Sequence, residues 1–415
     1  MEKMPVFRKA GKIDFTEPGD QLVNELKHGI LPFWLRYSVD EKHGGFFGRA
    51  DNKGRPVPDA HKSLILNTRI LWTFSAVCTV LDDPEYLKMA DRAWNYLSEY
   101  FIDTEFGGAY WLLDYQGVPV DGRKKVYGHA FLIYALAEYY KATGKQTVLD
   151  CAIELFDIIE THFFDRENGG YFEAALREWD TTDDMRLSAI DLNEKKSMNA
   201  HLHILEAYTN LLRVWDNTLL RQRLFELLNH FRDHIINRDT SQFNLFFNEY
   251  WEVKGNRISP GHDIEGSWLL RESADLLGGY EQIEEFHKLA VNQAGAVYEK
   301  CLNPDGSLIY EIFPGGKINM ERHWWVQAEA MVGFLNAYQL SGDERFYRAM
   351  CGVWNYIREN LIDIENGEWF YKRTRDGEVD HNEFKVSEWK GPYHNSRACL
   401  ELVRRLEQLS KKDSL

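Results

Sequence analysis

Ten residues from Ser197 to Glu206, SMNAHLHILE, place an Asn and two His within five positions and then run into the apolar pattern of a helix. Asn199 and His203 are four apart and share a helix face, while His201 points elsewhere. Leu202, Leu205, Thr209 and Leu212 form a second, mostly apolar stripe at helical spacing. A side chain that titrates near neutral pH, set at the opening of a buried helix, is the raw material of acid–base chemistry. Two histidines satisfied by their own helix would give the same pattern, so the stretch alone leaves both readings open.

The arrangement recurs. Other helical patterns open with HKSLILNTRILW (Asn67, Arg69), with Tyr127-Gly128-His129, with Gly261-His262-Asp263-Ile264-Glu265, with Arg322-His323-Trp324-Trp325 and with Tyr393-His394-Asn395. A neutral His near the positive end of a helix has its charged form disfavoured, which makes it a proton acceptor near pH 7. Two such His across a pocket can take a proton from one face of a carbon and return it to the other. Arg69 and Asn199 could bind or polarise an oxygen, and Glu265 and Glu311 could orient hydroxyls or a neighbouring His. Trp324, Trp325, Trp389 and Trp251 could form flat walls for sugar rings. Trp389 lies in the loop EWKGP, five residues before His394. Some of the histidines are expected to bond their own helix or the preceding loop instead, His129, His201 and His323 first among them. His230 and His234, four apart, resemble a metal pair but have no third ligand at fitting spacing, and no cluster offers three ligands at helical or hairpin spacing; no metal is expected.

These openings need elements to position them. A Gly-aromatic segment, DEKHGGFF from Asp40, returns as DTEFGGAYW from Asp103, DRENGGYF from Asp165 and DIENGEWF from Asp363, with weaker copies NLFFNEYW from Asn244 and NPDGSLIYE from Asn303. Six tight β-hairpins of this kind form an internal repeat. Between them run twelve amphipathic segments: one from Leu22 to about Ser38, then about 61–80, 84–101, 125–143, 147–163, 195–215, 217–235, 262–278, 282–301, 322–341, 343–361 and 392–409. Short turns such as Leu81-Asp82-Asp83-Pro84 and Thr143-Gly144-Lys145 separate members of a pair. The pattern predicts an all-α fold, six helix pairs closed into an (α/α)6 toroid, as a single domain over residues 1–415. An open solenoid would have the same sequence pattern. In a toroid alternate helices point the same way, so the six polar openings would meet at one mouth.

Composition limits the partners. The formal charge of -16 argues against nucleic acid and against an anionic membrane surface. No run of 18 apolar residues and no signal-peptide pattern is found. Cys78, Cys151, Cys301, Cys351 and Cys399 are odd in number and far apart, which reads as reduced thiols of a cytoplasmic protein. Neither a Gly-rich phosphate loop nor a GxSxG elbow occurs, so no cofactor is expected.

The stretches LNTRILW, YGHAF, DLNEKKSMNAHLHILEAY, GHDIEGSWLL, RHWWVQAEAM and SEWKGPYHNSRA resemble the N-acylglucosamine 2-epimerase superfamily and, within it, the cellobiose 2-epimerases. The resemblance runs in order from about residue 20 to 409. It implies the (α/α)6 barrel, no metal, and conversion of the reducing-end glucose of β-1,4-linked disaccharides (cellobiose, lactose, mannobiose) to mannose or the reverse. It further implies His262 and His394 as the proton-transfer pair and His203 as a group that stabilises the intermediate. Arg69, Tyr127, Asn199, Glu265 and Glu311 would line the reacting sugar, Trp325 and Trp389 would hold the rings, and Asp191 would touch the pocket edge. The doubled His of AHLH leaves a choice, made for His203 because it shares a face with Asn199. Expected partners are a small disaccharide and, at most, a second copy in a weak homodimer. The rivals are a monosaccharide epimerase or mannose isomerase, a glycoside hydrolase using Glu265 and Glu311, and a sugar-binding module without catalysis.

Overall fold

Helices that are apolar all round must be buried, and helices with one apolar stripe must lie against them. The chain contains both kinds in alternation. In the computed structural model, which describes residues 8–9, 12–81 and 83–413, the nearly all-buried set is α3 (Leu64–Cys78), α5 (Val126–Thr143), α7 (Met198–Leu212), α9 (Pro260–Leu277) and α11 (Trp324–Ser341), joined by α13 (Tyr393–Asp413). Neighbours in this series pack together, and α13 packs on both α11 and α3, so the inner ring closes. An open solenoid is thereby ruled out.

Outside it lie α4 (Pro84–Tyr96), α6 (Gln146–His162), α8 (Thr218–His230), α10 (Tyr280–Cys301) and α12 (Glu344–Tyr356). The sixth outer rod is α1 (Thr16–Glu25) continued through a π-helical turn into α2 (Leu31–Tyr37). Among the described residues these make the twelve rods expected. Single π turns also end α4, α8 and α12, at Leu97–Phe101, Phe231–Ile235 and Ile357–Leu361. No helix among the described residues is long and apolar enough to cross a membrane. Asp82 of the turn before α4 lies outside the described residues, as does most of the N-terminal stretch read for a leader.

The Gly-aromatic segments are shorter than the hairpins expected of them. Each is a tight turn closed by one bridge, Val39 to Phe46, Ile102 to Ala109, Phe164 to Tyr171 and Ile362 to Trp369. The leading Asp makes the turn: Asp40, Asp103, Asp165 and Asp363 each accept from the backbone N–H groups two and three residues on. A buried lysine then meets the same carboxylate from the chain leading into another element: Lys62 on Asp40, Lys124 on Asp103, Lys196 on Asp165 and Lys385 on Asp363, at 2.6–2.9 Å. In the fourth unit the expected alignment was displaced. The equivalent turn is built by Asn237 and closed by Phe243, with Ser241 in the left-handed region, while Phe246–Phe247 pairs with Val253–Lys254 and Lys196–Ser197. Asn replaces Asp there and no glycine marks the bend, which is why periodicity alone misplaced it.

Candidate active site

The N-termini of the inner helices surround a cavity of about 370 Å³. Arg69 of α3, Tyr127 of α5, Asn199 and His203 of α7, His262 and Glu265 of α9, Trp325 of α11 and His394 of α13 all line it. Loops add Asp191 and Trp389, and the short strand Glu311–Ile312 adds Glu311. All eleven residues singled out from the sequence are therefore brought around one space.

Each of the three cavity histidines is tethered through Nδ1. His203 lies 2.9 Å from Glu206 Oε2, His394 lies 2.7 Å from Glu329 Oε1, and His262 lies 2.7 Å from Ser259 Oγ. Burial disfavours the imidazolium and moves all three pKa values down, to about 3 for His262 and His394; the neighbouring His203 and His394 add to the effect on His262. They are neutral at pH 7. Burial would raise Glu206 and Glu329, but Arg397 and the histidines overcome it and hold both below the usual carboxylate range. An ionised carboxylate only accepts, so Nδ1 of His203 and of His394 carries the proton and Nε2 presents a lone pair. Ser259 can accept or donate, so His262 can take either tautomer. The Trp325 ring lies against both, with centroids 4.8 Å from His262 and 5.7 Å from His394.

Beneath the histidines lies a cluster the sequence reading missed. Arg397 of α13, fully buried, donates to Glu206, to Glu265 at 2.6 Å and to Glu329 at 2.7 Å, and also touches Tyr393. Tyr393 donates to Glu206 at 2.6 Å. Burial and repulsion from Glu329 push Glu265 well above its ordinary pKa, and its Oε2 is buried without a partner. Sequence spacing offered no three-ligand set, but across helices His203, Glu206 and Glu265 converge, as do Glu265, Glu329 and His394. The guanidinium of Arg397 supplies the positive charge among these carboxylates. The signal was present in the sequence, with Glu206, Glu329 and Arg397 each three or four residues beyond a cavity residue, but one helical turn could not reveal that four helices converge.

Arg69 approaches from α3. It donates to the Tyr127 hydroxyl at 3.2 Å and to the Trp389 carbonyl, and its guanidinium lies 4.8 Å from the Phe131 ring centroid. The Trp389 ring lies 6.0 Å from Trp111 and 6.1 Å from Tyr127. Glu311 lies 3.5 Å from Arg257, and Asp191 Oδ2 accepts from the Ser188 amide and hydroxyl. Buried Asn199 Oδ1 has no partner.

The remaining histidines divide as the bland reading expected. His129 and His201 use both nitrogens on backbone: Nδ1 meets the carbonyl four residues back, and Nε2 accepts from Ala109 and Tyr171 N–H. Gly170 is required beside this contact, since a Cβ there would come 2.7 Å from His201 Nε2 and 2.4 Å from Trp251. His323 stacks on Tyr310 at 3.6 Å and bonds Glu321. His230 and His234 both stack on Trp251. Trp251 is therefore no sugar platform: it is buried over His201, away from the cavity lining. Trp324 does line the cavity, beside Trp325.

Fold and site define an (α/α)6-barrel enzyme equipped for proton transfer. The chain belongs to the N-acylglucosamine 2-epimerase (GlcNAc 2-epimerase) family, whose sequence model matches residues 45–398, and so to the carbohydrate epimerases. It is 44% identical over 384 residues to a cellobiose 2-epimerase of Bacteroides fragilis, covering 92% of this chain and 98% of that one. A cellobiose 2-epimerase of Dictyoglomus turgidum is 37% identical over 392 residues, covering 93% and 98%. Among solved structures, the cellobiose 2-epimerase of Bacillus thermoamylovorans B4167 superposes with a TM-score of 0.90 at 39% identity, over 94% of this chain and all of that one.

Proposed function

We propose that the protein epimerises the reducing-end sugar of a β-1,4-linked disaccharide such as cellobiose at C2. The observation that carries this reading is the pair His262 and His394, both neutral, both tethered through Nδ1, both lining one cavity and both against the Trp325 ring. The names of the relatives support the substrate. With the sugar ring opened to the aldehyde, one His takes the C2 proton, and the electron pair moves into a C1–C2 enediolate. Arg69 donates to its oxygens, His203, whose Nε2 presents a lone pair, accepts from a neighbouring hydroxyl of the opened sugar, and Glu265 lies beside them. The second His takes up a proton from solvent as negative charge develops on the enediolate and delivers it to the opposite face of C2, and the first His returns its proton to solvent. Glu329 and Glu206 fix the tautomers of His394 and His203. Trp389 and Trp325 flank the sugar rings, with Asp191, Asn199, Tyr127 and Glu311 as hydroxyl partners.

A glycoside hydrolase needs two carboxyl groups facing each other across the scissile bond. Glu265 and Glu329 instead meet on one nitrogen of Arg397, and Glu311 is placed beside Arg257. Proton NMR of the enzyme with cellobiose in heavy water tests the proposal. The expected result is a mannose unit at the reducing end with deuterium at C2; release of glucose, or mannose lacking C2 deuterium, contradicts it.

A further inference from the structure

Apart from the first, closed at Phe46, each turn of the repeat ends in a bridge residue whose neighbour two positions further on recurs in a fixed role. Its carbonyl satisfies the first N–H of an inner helix: Leu64 donates to Trp111, Val126 to Glu173, Met198 to Leu245 and Trp324 to Tyr371. Helix α9 begins with Pro260, which has no N–H to donate, and Tyr310 occupies the equivalent place. Because their backbones are fixed alike, these side chains form a layer around the cavity. Glu173, Leu245, Tyr310 and Tyr371 line it, and Trp111 packs on Trp389.

Four of the five are apolar or aromatic, and Glu173 is the exception. It is 5% exposed, and its Oε1 accepts from Ser197 N–H at 2.6 Å, with the Ser197 hydroxyl beside it. An ionisable group so deep needs more than one amide to compensate its lost hydration. Burial, with Asp191 adding to it, pushes the carboxyl up to about 8, so at neutral pH it keeps a proton and can donate. It shares this layer with Trp111, which packs on Trp389, and its carboxyl feels the charge of Asp191 at the pocket edge.

We propose that Glu173 is a specificity-determining residue whose carboxyl hydrogen-bonds a hydroxyl of the sugar remote from the reacting carbon, the unit flanked by Trp389. The inference rests on the disaccharide reading above. Its test compares wild type with Glu173→Gln and Glu173→Leu. Gln retains an oxygen for Ser197 and an N–H for the sugar; Leu retains neither. The expected result for Leu is a KM for cellobiose raised ~3- to 10-fold, the range of one hydrogen bond, with kcat and the inhibition constant of glucose little changed. Gln should restore the wild-type KM. If Leu does not fold, Glu173→Asp, which reaches Ser197 only by withdrawing from the cavity, should show the same KM change. An unchanged KM, or a fall in kcat that tracks a lower melting temperature in both variants, overturns the proposal. Cellobiose binding followed by tryptophan fluorescence separates the two readings. Wild type that binds cellobiose without epimerising it contradicts the reaction, while the ratio of its dissociation constant to that of the variants still decides the role of Glu173.

Discussion

His201 and His203 are two residues apart on one helix, equally buried and equally neutral, yet they belong to different regions. His201, like His129, sits in the turn layer and gives both nitrogens to backbone. His203, like His262 and His394, sits in the cavity layer and gives one nitrogen to a tether, which leaves the other for chemistry. The ion clusters divide in the same way. In the turn layer each lysine meets an Asp already bound by backbone N–H groups, a closed unit repeated four times. In the cavity layer one arginine serves three carboxylates and leaves a Glu265 oxygen unpaired. Satisfied groups hold the ring together; groups left one bond short are available to a substrate.

The contrast predicts opposite outcomes for substitutions in the two layers. The largest effect belongs to the cavity. His262→Asn and His394→Asn should each lose ~100- to 10,000-fold in epimerisation with little change in melting temperature, because a general acid or base is worth that much. One variant should still exchange deuterium into cellobiose and the other into its epimer. Near-normal epimerisation by either would remove that His from the pair.

Arg397→Met should be the most destabilising single change in the cavity layer, by ~3–5 kcal/mol, since it strands three buried carboxyl groups. Denaturant unfolding measures it; a loss below ~1 kcal/mol would show that the cluster neutralises itself by protonation.

His201→Ala reverses the pattern. It leaves the Tyr171 amide unpaired, which should cost ~1–3 kcal/mol of stability while the folded fraction keeps its kcat. The pH dependence has a definite sign. His201 has a folded pKa of about 3, below the ~6.5 of an unfolded chain, so between these values the unfolded state binds more protons. Stability is complete above pH 6.5 and falls as the pH drops, by up to ~1.4 kcal/mol per unit from this group. His201→Gln should remove that share of the acid sensitivity; unchanged acid unfolding would place the proton elsewhere.

Trp389→Ala should raise KM for cellobiose about two- to tenfold, the worth of one aromatic contact, with little loss of stability because Arg69 is held by the Trp389 backbone carbonyl rather than the ring. An unchanged KM would place the ring outside the sugar path. Chelation should have the smallest effect. With Arg397 donating to all three carboxylates, activity should survive EDTA, and loss restored by one divalent ion would reassign the cluster to a metal.

Much of this protein is written locally. The 3.6-residue spacing of apolar side chains marked every helical run, and the Asp-to-glycine turns marked four of the six units, because helix periodicity and turn chemistry depend on neighbours a few residues away. Conserving that local logic, the sequence also put Asn199 and His203 on one face and so chose His203 over His201. What it could not contain was closure of α13 onto α3, or the meeting of Arg397 with Glu206, 191 residues apart. Whether a buried imidazole is spent or available depends on where its second nitrogen points. That is decided by partners brought from distant helices and turns, such as Tyr171 for His201, and therefore only by the closed tertiary ring.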